Sequence, residues 1–154
     1  MSSNSVFHKE LVITNMSASN RDQAIISLGE KLYKNGYVKD TFINAVLERE
    51  RNSPTGLPTQ PLGVALPHIE CKYVERTAIA VGLLSEPVEF CIMGALDKTV
   101  DVSLVFLMAI QDPANQIHML QGLAQLFHKP HVLEQLIKAG GPLEIVEILQ
   151  HEIE

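Results

Sequence analysis

Apolar positions change their spacing along the chain, and each change marks an element. A short apolar run over residues 11–16 reads as a strand. Ala24, Ile25, Leu28 and Leu32 then recur at helical spacing, with Asn20 placed to cap the helix and Gln23 in its first turn. Asn35-Gly36 stops that run. Asp40 is placed to cap a second helix, which carries Ile43, Val46 and Leu47 on one face and ends in the charged turn Glu48-Arg49-Glu50-Arg51. Residues 52–61 contain Pro54, Pro58, Pro61 and Gly56, and must form a loop, because proline fixes the backbone and removes a donor. Residues 62–66 read as a strand ending at Pro67, and residues 78–84 and 88–92 as two more. The continuous apolar run over 102–110 is expected of a central strand buried on both faces. Asp112-Pro113 opens a helix whose apolar stripe is Ile117, Leu120, Leu123, Ala124 and Phe127. Pro130 starts another with Val132, Leu133, Leu136 and Ile137, and Gly140-Gly141-Pro142 precedes a last one with Ile145, Val146, Ile148 and Leu149. Helices, then strands, then helices predict an α/β fold with a mixed β-sheet flanked by helices on both sides. Residues 1–10 are expected to be loose.

The 154 residues suit one domain, residues 1–154. Hydrophobic residues make up 46% and charged residues 19%, a globular composition. A net charge of −6 disfavours nucleic acid as partner, since binding there rests on release of phosphate counterions. No run of Lys or Arg suits an anionic membrane surface, and no apolar run reaches the length of a membrane span. The N-terminus has no basic start followed by an apolar core, and Cys71 and Cys91 form neither a disulfide framework nor a zinc knuckle. A cytoplasmic protein without cofactor or metal is therefore expected.

His68 has a distinctive context. It follows a strand end and Pro67, at the close of a proline-rich loop, where catalytic groups are commonly held. Glu70 lies two positions on, and in an extended chain would point the same way and hold one ring nitrogen. The alternative is a histidine that merely satisfies a turn, and local context leaves both open. His118 shares a helix face with Ala114, Gln121, Gly122 and Gln125, a small and polar face that leaves room beside the ring. An ordinary surface histidine fits the same pattern. Arg49 ends the second helix, and its planar fork suits phosphate, although a charged helix end is usually just solvated. His118, His128 and His131 lack a zinc-ligand spacing. A Cys71–His68 nucleophile is disfavoured, because three positions along a strand place the two side chains on opposite faces.

Three segments together resemble a known family. Leu47-Glu48-Arg49-Glu50, Pro54-Thr55-Gly56-Leu57 and Gly63-Val64-Ala65-Leu66-Pro67-His68 resemble the active-site region of fructose- and mannitol-type enzyme IIA of the bacterial sugar phosphotransferase system. The segment from His118 through Leu126 resembles the helix carrying that family's second histidine. The Pro-Thr-Gly loop and Pro67-His68-Ile69-Glu70 lean toward the galactitol-type branch, in which the second histidine is not dependable. The resemblance implies that His68 is phosphorylated and that Arg49 and His118 assist, and Glu70 and Thr55 are expected to support the site. It also implies the phosphocarrier HPr as donor, an enzyme IIB cysteine as acceptor, and a mixed sheet covered by helices. A carrier site must be open to its partners, and Leu57, Leu62 and Ile69, which flank it, are expected to form a shallow, partly apolar rim. No nucleotide-binding glycine loop is present, so ATP is not the expected donor. Two other readings stay open: a regulatory phosphocarrier whose His68 state controls docking, and an unrelated hydrolase using Cys71 and His68.

Overall fold

The computed structural model describes residues 5–153. The chain runs β1 (Phe7–Met16), α1 (Arg21–Lys34), α2 (Phe42–Asn52), β2 (Gly56–Leu57), β3 (Gly63–Ala65), a 3-10 turn (Cys71–Tyr73), β4 (Ala78–Ile92), β5 (Ala95–Ala109), α3 (Pro113–Phe127), α4 (Pro130–Lys138) and α5 (Pro142–Ile153). β4 and β5 form a long antiparallel hairpin, from Ala78 opposite Ala109 to Ile92 opposite Ala95. Gly94 closes its turn at φ 80°, a conformation that a side chain would strain. β1 adds to β4 in parallel, and β3 adds to β5 in parallel. β2 pairs antiparallel with β3 and touches β4 where Gly56 meets Ile92. Among the described residues the result is the expected mixed sheet, with five strands.

Period-two alternation in β5 splits the core into two layers. Val105, Leu107 and Ala109 join Ile25, Leu28, Phe42 and Val46 of α1 and α2 on one face. Leu104, Phe106 and Met108 join Leu123, Phe127, Leu133 and Leu149 of α3, α4 and α5 on the other. The rings of Phe106 and Phe127 lie 5.3 Å apart. Helices thus cover both faces, as the sequence pattern predicts.

Several local expectations need correction. β1 begins at Phe7, so residues 7–10 lie in a strand rather than loose, and His8 stacks on Tyr37 with ring centroids 5.9 Å apart. Of the rest of that segment, Val6 is buried, and residues 1–4 lie outside the described residues. The two strands expected over 78–84 and 88–92 are one, β4, because Pro87 sits in a register shift between Leu83 and Val88 where no ladder N–H is required. Residues 95–101 belong to β5 although their pattern is mostly exposed and polar. Asn20 does cap α1, accepting from the Gln23 N–H at 2.9 Å. α2, by contrast, starts after Thr41 rather than Asp40, without a side-chain cap.

Candidate functional site

The strand β3 is short, but its parallel pairing to β5 continues past its end. The Met108 N–H donates to the Pro67 carbonyl at 3.0 Å, which delivers His68 just beyond the sheet. Leu66, Pro67 and Ile69 are buried, and His68 between them is partly exposed. His68 Nδ1 lies 2.8 Å from the Leu66 carbonyl oxygen. A carbonyl only accepts, so Nδ1 carries the proton and Nε2 keeps its lone pair. Burial lowers the His68 pKa below its ordinary 6.5; the Leu66 bond opposes this and the nearby Arg49 charge reinforces it. The ring is therefore a neutral nucleophile near pH 7.

Arg49 reaches the same place from the last turn of α2. Its Nε is buried without a protein hydrogen bond, so this donor is not committed to holding the fold. The two glycines of the motif segments permit the close approach of their strands. A Cβ on Gly56 would meet the Cys91 carbonyl oxygen at 2.6 Å, and one on Gly63 would run into the Asp101 carbonyl. Both strands must lie against the β4–β5 hairpin for the loop ends to converge.

Thr55 is buried beneath this loop. Its N–H and hydroxyl donate to Glu50 Oε2 and Oε1 at 2.8 and 2.9 Å. Its Oγ1 accepts from the Leu66 N–H at 3.2 Å. Glu50, read from sequence as one more charge in a solvated turn, is only 1% exposed. Burial pushes its carboxyl up to about 7, against the opposing Thr55 hydrogen bonds and the charges of Arg21 and Arg49.

Three sequence expectations fail here. Glu70 is exposed at the start of the 3-10 turn and does not hold the His68 ring, whose Nδ1 is taken by Leu66. The chain turns after Ile69 instead of staying extended, so the alternation argument does not apply. His118 is exposed and lines a cavity of about 470 Å³ with Asn115, Gly122, Gln125 and Ile153, which His68 and Arg49 do not line. The residue of α3 that meets the His68 segment is Gln116, whose Nε2 donates to the Ile69 carbonyl at 3.0 Å. Positions 116 and 118 differ by about 200° around a helix of ~3.6 residues per turn, so one helix cannot aim both at one place. Ile69, taken as rim from sequence together with Leu57 and Leu62, is 8% exposed and packs in the α1–α2 core layer. Leu57 and Leu62 are partly buried against the other layer.

Cys71 lies in the 3-10 turn with its thiol 3.8 Å from Gln116 Oε1, and burial together with Asp112 raises its pKa. A thiol held protonated is a poor nucleophile, which weighs against the hydrolase reading. Among the described residues there is no cluster of His, Cys, Asp and Glu suited to a metal ion, and no helix long and apolar enough to cross a membrane.

Comparison with known proteins agrees with this fold. The family described as "Phosphoenolpyruvate-dependent sugar phosphotransferase system, EIIA 2" matches residues 5–152. The galactitol-specific EIIA component of the phosphotransferase system of Escherichia coli (strain K12) is 29% identical over 126 residues, covering 82% of this chain and 83% of that protein. The transcriptional regulator ManR of Bacillus subtilis (strain 168) is 32% identical over 144 residues, which cover 92% of this chain and 20% of the regulator. Enzyme IIAMTL of Escherichia coli, solved in complex with phosphorylated enzyme IIBMTL, superposes with a TM-score of 0.76 at 25% identity, over 94% of this chain and 97% of that one. The match to nearly the whole chain and the shared fold make this protein a member of the EIIA type 2 family of the phosphoenolpyruvate-dependent sugar phosphotransferase system.

Proposed function

We propose that this chain is a phosphohistidine carrier that accepts a phosphoryl group from phosphorylated HPr on His68 Nε2 and passes it to a cysteine of an enzyme IIB. The observation that carries the reading is the His68 ring itself. Nδ1–H is fixed to the Leu66 carbonyl at 2.8 Å, the ring is neutral, and Nε2 is left with a lone pair beside Arg49. In the first step that lone pair forms a bond to phosphorus while the bond from phosphorus to the donor nitrogen breaks, its electron pair returning to the donor ring. In the second step an incoming thiolate bonds to phosphorus and the Nε2–P bond breaks, restoring neutral imidazole. Charge spread over the three transferring oxygens calls for fixed positive donors rather than covalent machinery. Arg49 is the candidate for that role.

The relation to a galactitol-specific EIIA component supports galactitol as the sugar served, through partner proteins rather than by contact with this chain. The carrier would work in the cytoplasm, where donor and acceptor domains meet. The relation to the regulator ManR favours a second reading, in which the His68 phosphorylation state controls docking rather than transport.

The test is incubation with phosphorylated HPr and mapping of the labelled residue. An acid-labile phosphoryl group on His68 is expected, lost in His68→Ala. Arg49→Ala should slow acceptance by on the order of a hundredfold while His68 remains the acceptor. Wild-type stoichiometry in His68→Ala would end the phosphocarrier reading. Transfer onward to an enzyme IIB cysteine separates transport from regulation alone.

A further inference from the structure

The buried pair beneath the loop is not explained by folding alone. Among the described residues, Glu50 and Thr55 are the polar or charged residues buried in the core. Burying a carboxyl is costly, and hydrophobic groups of similar volume usually serve stability as well or better. Glu50 does not stand alone, however. Thr55 hangs from it by its N–H and hydroxyl, and the Thr55 oxygen in turn receives the Leu66 N–H. Leu66 then offers its carbonyl to His68 Nδ1. The chain entering the site at Thr55 and the chain leaving it at Leu66 are thus tied to one carboxyl at the end of α2, the helix that also supplies Arg49.

We propose that Glu50 is a positioning residue for phosphoryl transfer, acting through Thr55 and Leu66 to hold the His68 ring in its Nδ1–H form with Nε2 presented beside Arg49. The proposal rests on the phosphocarrier reading and adds a residue and a route to it. The attacking nitrogen must be aligned with phosphorus, and misplacement by about an ångström costs on the order of a hundredfold in such reactions. Leu66 moves if Thr55 moves, because its N–H would otherwise be buried without a partner. The His68 ring would follow, since among the described residues its hydrogen bond goes to the same residue. Arg21 and Arg49 lower the carboxyl from α1 and α2 against the larger effect of burial, which holds it at about 7, so the ionised form that accepts both Thr55 donors is populated as pH rises through that value.

The experiment compares Thr55→Val, Thr55→Ser and Glu50→Gln with wild type. The first readout is the nitrogen-15 spectrum of the His68 ring in the resting protein, which reports the tautomer without any transfer. The second is the rate of acceptance from phosphorylated HPr at saturating donor, set against the donor concentration for half-maximal rate. Thr55→Val is expected to mix the His68 tautomers and to slow saturated transfer by about tenfold to a hundredfold. The half-maximal donor concentration should change little, because the outer surface is untouched. Thr55→Ser, which keeps the hydroxyl, should restore both readouts. Glu50→Gln keeps one acceptor and the side-chain shape, so it should fold and show the same pattern more weakly. An unchanged His68 tautomer and saturated rate in Glu50→Gln and in folded Thr55→Val would overturn the proposal. Label on a residue other than His68 in wild type would instead overturn the phosphocarrier reading, while the tautomer result would stand apart from it.

Discussion

At the residue scale, Glu50 and His68 pull the pH dependence of stability in opposite directions. Burial raises the Glu50 carboxyl from its ordinary 4.5 to about 7, so its neutral form is favoured in the fold. A raised carboxyl contributes stability below its unfolded pKa and loses it as pH rises through the folded value. Between pH 4.5 and 8 this loss is on the order of 3 kcal/mol. Burial depresses His68 below 6.5, which works the other way: stability falls as pH drops below 6.5 and the unfolded ring takes up a proton first. Urea denaturation of wild type, Glu50→Gln and His68→Ala at pH 5, 6.5 and 8 separates the two. Glu50→Gln should lose less stability than wild type between pH 6.5 and 8, and His68→Ala should lose less between 6.5 and 5. Parallel curves for wild type and Glu50→Gln would remove the buried carboxyl from the balance. His68 was legible in the chain because a proline and a strand end mark it. Glu50 was not, because the run Glu48-Arg49-Glu50-Arg51 reads as uniformly solvated until the helix is docked and one of its four charged residues turns inward.

At the element scale, α3 shows how a correct helix can carry a wrong face. Its start was legible: Asp112 accepts from the Asn115 N–H at 2.9 Å, and Pro113 occupies the first turn. Its phase was not. Ile117, expected in the apolar stripe, is 60% exposed, whereas Met119 and Leu126 are buried with Leu123 and Phe127. Small and polar residues lie on both sides of the stripe, so the pattern alone tolerates a rotation. That rotation brings Gln116 to the Ile69 carbonyl and leaves His118 exposed on another side of the helix, in a cavity with Gly122, Gln125 and Ile153. The expected consequence is asymmetric. His118→Ala should transfer at the wild-type rate. Gln116→Ala should slow transfer severalfold, since the segment after His68 loses its tether to α3 and the Ile69 carbonyl loses its donor, a change of about 1–3 kcal/mol if the carbonyl stays buried. Rate measurements on the two variants decide the register: a slowed His118→Ala beside an unaffected Gln116→Ala would reverse the assignment. The hairpin of β4 and β5 teaches the complementary lesson. Its polar half, residues 95–101, was invisible because a strand exposed on both faces shows no apolar alternation, and only pairing to the partner strand makes it a strand.

At the scale of the whole molecule, the phosphocarrier reading requires one site to meet a donor and then an acceptor, so on that reading the surface around His68 must be open and able to bind briefly. Gln116, Leu120 and Ala124 form one row of α3 at i, i+4 spacing. That row runs from the His68 segment to an apolar groove of about 520 Å³, which Ala124 lines together with Leu57, Pro58 and Phe127. Ile117 stands exposed beside the row. This placement replaces the rim inferred from sequence, in which Ile69 took part. Ile69 is core, and an aspartate there would lose roughly 1.5–3 kcal/mol of apolar burial and bury a charge as well. Ile69→Asp should therefore unfold the protein and says nothing about docking. Ile117→Asp tests the surface cleanly, because an exposed position contributes little to stability. It should raise the HPr concentration needed for half-maximal transfer severalfold while the thermal midpoint stays within a few degrees. Modest apolar contact of this kind suits brief encounters of small buried area. Chemical shifts on adding HPr should centre on Leu57, Pro58, Ile117 and Leu120. Shifts centred on α5 near Ile148, with Ile117→Asp transferring like wild type, would place the docking face on the other side of the molecule and leave the exposed Ile117 without a role in exchange.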